Sequence, residues 1–253
     1  MKSLRIAIIG SGISGLGAAY ILHPHHEITV YEPNAYMGGH SRTIPVKTPE
    51  GVIPVDTGFI VFNHRNYPLL TGLFRHLKVP THTSDMSFGA TINQHWLEYS
   101  TQTLGNLFAQ KRNLYRPAFL RMIIDILRFN RSAARYLGAD PSVTLGQCLD
   151  EMKMGAWFRQ YYLLAMGAAI WSTPIEQMLA FPACTFVRFF ENHGLLNPKG
   201  QPQWYTVVGG STEYVARLTA TFRERIRLNC GAVRVTRLAE GVEVLDSQGQ
   251  TTL

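Results

Sequence analysis

The sequence predicts an α/β chain in which an N-terminal parallel βαβ unit is interrupted by a largely helical α+β insertion and resumed near the C-terminus. Three observations carry that prediction. Residues 4–32 read strand, glycine turn, helix, strand, acid. Residues 104–191 show helical periodicity broken at Pro117, Gly138, Pro141, Pro174 and Pro182. From Trp204 onward, strand-like runs return around one further helix.

The first element is the β-prone run Leu4-Arg5-Ile6-Ala7-Ile8-Ile9, bounded by Gly10-Ser11-Gly12-Ile13-Ser14-Gly15. A small-residue helix over 16–22 follows, then Ile28-Thr29-Val30-Tyr31 and Glu32. This order is the Rossmann-like dinucleotide-binding pattern. Gly10 permits the tight turn out of the strand, Gly12 leaves room for a pyrophosphate, and Gly15 lets helix and sheet approach closely. The first helical turn, with Ser14, offers free N–H groups and a positive dipole end to phosphate. Glu32, seventeen positions after Gly15, is placed to accept from a ribose hydroxyl. Its charge repels a 2′-phosphate, which argues against NADP. Read instead as a secretion signal, 6–22 fails, because glycines at 10, 12, 15 and 17 interrupt the apolar stretch.

Composition narrows the class. Hydrophobic content of 46% with 16% charged residues excludes general disorder and supports a sizeable core. Cys148, Cys184 and Cys230 form no CxxC pair and read as thiols of a reducing compartment, so a cytoplasmic protein is expected. No run reaches the roughly eighteen apolar residues of a membrane span. His23, His25 and His26 surround Pro24 without an acid at ligand spacing, so a solvated turn is expected and no metal.

After Glu32 the chain departs from a simple NAD-type repeat. It gives Gly38-Gly39-His40-Ser41-Arg42-Thr43, extended pieces at 44–46 and 52–55, then Asp56-Thr57-Gly58-Phe59. This order resembles the flavin-dependent amine oxidase and phytoene desaturase superfamily. There, the ribose-binding Glu is followed by a Gly-Gly doublet, by Arg and Thr, and by an Asp-x-Gly segment. Many members read Gly-Gly-Arg, whereas this chain has Gly-Gly-His with Arg at 42. That variant, with Trp171-Ser172-Thr173-Pro174, Phe181-Pro182-Ala183, Asn192-His193-Gly194 and Val208-Gly209-Gly210-Ser211, resembles a bacterial subgroup of predicted NAD/FAD-binding oxidoreductases.

The resemblance implies FAD as cofactor and hydride transfer from a substrate C–H bond to the flavin. Gly10, Gly12, Ser14, Gly15 and Glu32 would hold its ADP half; Gly38, Gly39, His40 and Arg42 would line the stretch from diphosphate to flavin. His40 stays open between a donor to phosphate or flavin and a solvated loop histidine. Trp171, Ser172, Thr173, His193 and Trp204 are substrate-side candidates by the resemblance alone, and no catalytic residue is assigned. The implied domains are an FAD-binding first part over 1–65, a substrate domain over 66–203, and a return to the FAD domain over 204–253. Superfamily members continue further, so a C-terminally truncated chain with an incomplete site is expected. A flavin-dependent lipid desaturase or isomerase, and a non-catalytic nucleotide-binding fragment, remain alternatives.

The insertion is read in more detail. An amphipathic helix is expected over 66–77, a hairpin over 86–92 and 95–99, and a helix capped by Thr144 over 145–152. Seven of the chain's basic residues, against Asp125 alone, fall between 110 and 137, where Arg121, Arg128 and Arg135 recur every seven positions. The helix over 117–137 reads either as a core helix with a solvated arginine stripe or as a peripheral membrane contact. A small-molecule substrate is expected, with an apolar lipid as the class that suits this middle segment. No recognition motif accompanies the charge, so nucleic acid is not a predicted partner.

Overall fold

The computed structural model describes residues 2–197 and 202–252. It divides into two compact units, Met1–Ser84 with Trp204–Leu253, and Asp85–Gln203. The first unit opens with β1 (Arg5–Ile9), α1 (Ile13–Leu22) and β2 (Glu27–Tyr31). A hairpin follows, β3 (Thr43–Thr48) and β4 (Gly51–Asp56), then the two-residue β5 (Phe62–Asn63), α2 (Pro68–His76) and β6 (Thr81–Ser84).

The second unit begins with the hairpin β7 (Gly89–Ile92) and β8 (Leu97–Ser100). It continues through α3 (Leu104–Leu107), α4 (Pro117–Ser132), α5 (Leu145–Glu151), α6 (Leu164–Trp171), α7 (Ile175–Met178) and α8 (Ala183–Asn192). The chain then re-enters the first unit as β9 (Trp204–Val207), α9 (Thr212–Thr219) and β10 (Ile226–Arg227). The antiparallel strands β11 (Ala232–Leu238), β12 (Gly241–Asp246) and β13 (Thr251–Thr252) follow.

β2 is the central strand of a parallel sheet ordered β1-β2-β10, with Arg5 opposite Glu27, Ile9 opposite Tyr31 and Ile226 opposite Val30. Alternation decides which face is covered: Ile8 is buried while Ala7 and Ile9 are exposed. Leu16 and Ala19 of α1 and Val215 and Leu218 of α9 share a core with Ile8, Ile28 and Val30. Each of the Leu, Ile and Val side chains contributes about 1.5–3 kcal/mol when fully buried.

The first unit extends past residue 65, where the sequence places its end. Phe74 of α2 lies edge-on to Phe62, with ring centroids 5.1 Å apart, and 5.0 Å from Tyr214. β6 pairs with β9, and β9 with β5. The segment 66–84 therefore folds with the nucleotide-type unit, and the insertion begins at Asp85. The aromatic packing of Phe74 and the β6–β9 ladder are the physical reason.

In the second unit α4 buries Phe119, Met122 and Phe129, and α8 buries Phe186, Val187 and Phe190. Thr144 caps α5 in a capping box: its hydroxyl accepts from the Gln147 N–H, and the Gln147 side chain accepts from the Thr144 N–H. Pro117 opens α4 at its first turn, and Pro182 precedes α8. Near the C-terminus α9 ends at Thr219, and a separate helical turn follows at Arg223–Arg225. The Thr219 hydroxyl bonds back to the Val215 carbonyl at 2.9 Å, a competitor for the backbone at the point where α9 stops.

Candidate functional site: a glycine turn, a helix N-terminus and a buried acid

Gly10 leaves β1 with φ +92°, a backbone that an L side chain rarely adopts, and donates to the Tyr31 carbonyl at 2.8 Å. A methyl on Gly15 would fall 2.0 Å from the Gly10 carbonyl oxygen, so the turn and the helix can approach only through glycine. Gly12 differs from both. It caps α1 with φ −67° and ψ 175°, ordinary extended geometry, and a methyl there would meet nothing within 4 Å. Neither the backbone nor packing requires glycine at 12.

What a methyl would occupy is the space over the start of α1. The first intrahelical bond runs from Leu16 N to the Gly12 carbonyl at 2.9 Å, and Gly12 supplies no capping side chain. The N–H groups of Ile13, Ser14 and Gly15 thus have no partner within the helix. Ser14 itself is exposed.

Glu32 closes β2 and turns back to this glycine turn. Its Oε2 accepts from Ser11 N at 3.0 Å and from Ser11 Oγ at 2.5 Å; its Oε1 accepts from Asn34 N at 2.9 Å and Asn34 Nδ2 at 2.7 Å. The residue is 4% exposed. Burial pushes its carboxyl up, but the bonds from Ser11 and Asn34 outweigh this and hold it below the ordinary glutamate value. The carboxylate's lone-pair directions are filled by these four donors. A ribose hydroxyl reaching Glu32 has to replace the Ser11 hydroxyl or the Asn34 amide, both of which can rotate away. Sequence reasoning missed these two residues: Ser11 is a variable position of the glycine pattern, and Asn34 lies in a loop with no periodicity.

The Gly38-Gly39 doublet lies directly on the glycine turn. Gly38 N donates to the Ser11 carbonyl at 2.9 Å, Gly12 and Gly38 form a parallel bridge, and a methyl on Gly39 would come within 3.0 Å of Gly12 Cα. Backbone proximity accounts for the doublet. Gly58 is required likewise, since its methyl would fall 2.4 Å from the His40 carbonyl oxygen. His40 and Arg42 have exposed side chains, and the Arg42 guanidinium lies 4.3 Å from the centroid of the Tyr36 ring. Among the described residues, no hydrogen bond joins either side chain to the glycine turn.

A second network fixes this loop to α9. Asp56 Oδ1 accepts from Thr43 Oγ1 at 2.6 Å and from both Ser211 N and Ser211 Oγ at 2.8 Å. Thr43 Oγ1 accepts in turn from Thr212 N at 3.1 Å, and Ser41 bonds to the Tyr214 hydroxyl. The Asp-x-Gly and Gly-Gly-Ser segments are thereby joined across about 155 positions of sequence. The carboxylate sits at the N-terminus of α9, where the helix dipole favours it.

The substrate-side candidates divide between the units. Trp171 packs among Phe181, Phe186 and Phe189 in the second unit's core, with ring centroids 4.7–5.3 Å away. Ser172 holds the left-handed end of α6, and Thr173 Oγ1 donates to the Trp171 carbonyl at 3.0 Å. The His193 ring stacks on Phe189 at 3.8 Å. Trp204 is buried in β9 of the first unit. His23, at the end of α1, lies 3.0 Å from the Thr221 hydroxyl and 4.9 Å from the Phe222 ring, which gives it a structural place. Among the described residues, no group of three or more His, Cys, Asp or Glu side chains is placed to hold a metal ion.

Residues 8–77 match the model of the NAD(P)-binding Rossmann-like domain. No curated protein matches the chain. Among solved structures, the chain is similar to cyclohexylamine oxidase from Brevibacterium oxydans (21% identity, TM-score 0.66, 99% of this chain and 55% of that one). It is similar to a putative protoporphyrinogen oxidase from an Exiguobacterium species (20%, 0.57, 100% and 58%). A third likeness is to a CLA-producing fatty acid isomerase from P. acnes (13%, 0.59, 98% and 56%). The chain thus spans little more than half the length of these structures. Its fold is the one these oxidases and this isomerase share, built on a Rossmann-like dinucleotide-binding domain.

Proposed function

We propose that the chain is the FAD-binding portion, with part of the substrate-binding portion, of an FAD-dependent oxidoreductase. The observation that carries this reading is Gly12, a glycine that its own backbone and neighbours do not need, over a helix start whose first donors have no partner within the helix. A diphosphate laid across α1 uses both features. Ser14 adds an exposed hydroxyl there, and Glu32 would take the ribose after Ser11 or Asn34 gives way.

The doublet Gly38-Gly39, pressed against Gly12, supports FAD over NAD, because the chain passes beside the proposed diphosphate instead of starting a second crossover helix. His40 and Arg42 follow it as donors that can reach the more distant part of the cofactor. When bound, the flavin supplies acceptance of a hydride equivalent from a substrate C–H bond. The protein's part is to orient, to exclude water and to hold local charge.

An apolar lipid is the substrate class we favour, from the helical second unit and the likeness to the fatty acid isomerase. That likeness also supports a second reading, a desaturase or isomerase in which flavin undergoes no net redox change. Three free cysteines, two of them buried, suit a reducing cytoplasm.

The test is the absorbance spectrum of the purified chain, with release and identification of what it holds. A flavin spectrum that bleaches with dithionite, and FAD in the supernatant after denaturation, is the expected result. A colourless chain that takes up NAD and ignores FAD contradicts the proposal. A chain holding nucleotide without reducible flavin is a binding module instead. Oxygen uptake with peroxide release marks an oxidase; product formed without oxygen marks the isomerase reading.

A further inference from the structure

The second unit carries a surface that its own folding does not use. Along α4, Phe119, Met122 and Phe129 face the core, while Leu120, Ile124 and Leu127 are 39%, 53% and 59% exposed. Their spacing of four and three places them in one stripe on the outward side of the helix. Arg131 continues that stripe, and Arg121 and Arg128 flank it one heptad apart. Just before the helix, Leu114 and Tyr115 are also exposed.

Arg121 and Arg128 are fixed by a buried acid, not free to fold over the apolar stripe. Asp125, fully buried, accepts from Arg121 Nε at 3.1 Å and Arg128 Nη1 at 2.7 Å, and its second oxygen accepts from Gly155 N at 2.9 Å. At the C-terminal end of α4 a groove of about 260 Å³ is lined by Arg128, Arg131, Arg135 and Lys153, with Glu151 as its acid. Glu151 is 3.4 Å from Arg135. Arg131 and Lys153 have no carboxylate partner among the described residues. The result is a row of aliphatic side chains in water beside uncompensated positive charge.

We propose that this outward face of α4, with the groove at its end, docks the chain on an anionic lipid bilayer. The helix axis lies along the surface, the Leu120, Ile124 and Leu127 side chains enter the boundary between headgroups and acyl chains, and the groove takes a lipid phosphate. Charge complementarity selects this occupant. The segment from 110 to 137 holds seven cations against one acid, and that acid is already committed to Arg121 and Arg128. A soluble phosphate would use the groove but leave the stripe in water; a bilayer uses both. The contact is peripheral, since among the described residues no helix is long and apolar enough to cross a membrane. The inference does not rest on the flavin reading.

The test is co-flotation of the full chain with phosphatidylcholine vesicles, with and without about 30% phosphatidylglycerol. The chain floats with the anionic vesicles, at least about tenfold more than with neutral ones, and raising salt to about 0.5 M releases it. Arg131→Glu with Lys153→Glu lowers binding by roughly tenfold or more, and Ile124→Asp with Leu127→Asp abolishes it. If the aspartate pair fails to fold, Ile124→Ser with Leu127→Ser serves in its place. Arg234→Glu with Arg237→Glu, the same change in net charge on exposed positions of β11, leaves binding within about twofold.

Absence of binding to anionic vesicles overturns the proposal, and so does an equal loss in the β11 variant, which means diffuse charge. Binding that survives Ile124→Asp with Leu127→Asp means a soluble-anion groove. A dimer broken by those two substitutions, without lipid binding, means that a second copy covers the face.

Discussion

Glu32 is the residue on which the chemistry of the site turns, because four hydrogen bonds keep a nearly buried carboxylate ionised. Its folded value lies below the ordinary 4.5, so the stability it contributes is present above that pH and is lost as pH falls through the folded value. Denaturation of wild type and Glu32→Gln across the acid range checks the sign: the gap is widest near neutrality and closes below pH 4.5. Removing the proposed ribose acceptor with Glu32→Ala weakens FAD retention by about tenfold or more, the range for a lost bond to a charged group, whereas His40→Ala changes it only a few-fold. Equal retention in wild type and Glu32→Ala would remove the ribose assignment. Gly10, Gly15 and Gly39 were legible in the sequence because a left-handed backbone or a close approach forces glycine there at a fixed spacing. Ser11 and Asn34 were not, since their role depends on where Gly10 turns the chain.

At the level of elements, the spacing rules located most of the βαβ unit: residues 4–9 and 28–31 were expected as strands, and β1 and β2 occupy Arg5–Ile9 and Glu27–Tyr31. The helix starts earlier than expected, at Ile13, since glycines at its first turns mask its period. The partners of β9 were hidden: a strand-like run does not name a mate more than 100 residues away, and β5 is only two residues long. Two substitutions separate the glycines by their work. Gly15→Ala drives a methyl into the Gly10 carbonyl and costs about 3 kcal/mol or more, read as a lowered urea midpoint. Gly17→Ala, with nothing within 4 Å, raises stability by about 0.5–1 kcal/mol. Asp56→Ala removes the acceptor of Thr43 Oγ1 in β3 and of Ser211 N and Oγ at the start of α9, and lowers stability by about 2–3 kcal/mol in the same assay.

Across the whole molecule, the chain keeps its two kinds of surface in separate units. The glycine turn, Glu32 and the Asp56 network belong to the first, and the basic apolar helix to the second. That division was visible as a change of periodicity and charge; its first boundary was not, because α2 reads as any amphipathic helix until Phe74 is seen beside Phe62. The central claim is that a dinucleotide lies over the start of α1, and Gly12→Ala tests it most directly. Urea denaturation and FAD titration of wild type and variant are measured side by side. The account predicts stability unchanged to within about 0.5 kcal/mol, since the methyl meets no protein atom, and FAD retention lost by at least about tenfold. A Gly12→Ala chain that folds equally well and holds FAD as tightly as wild type would contradict it.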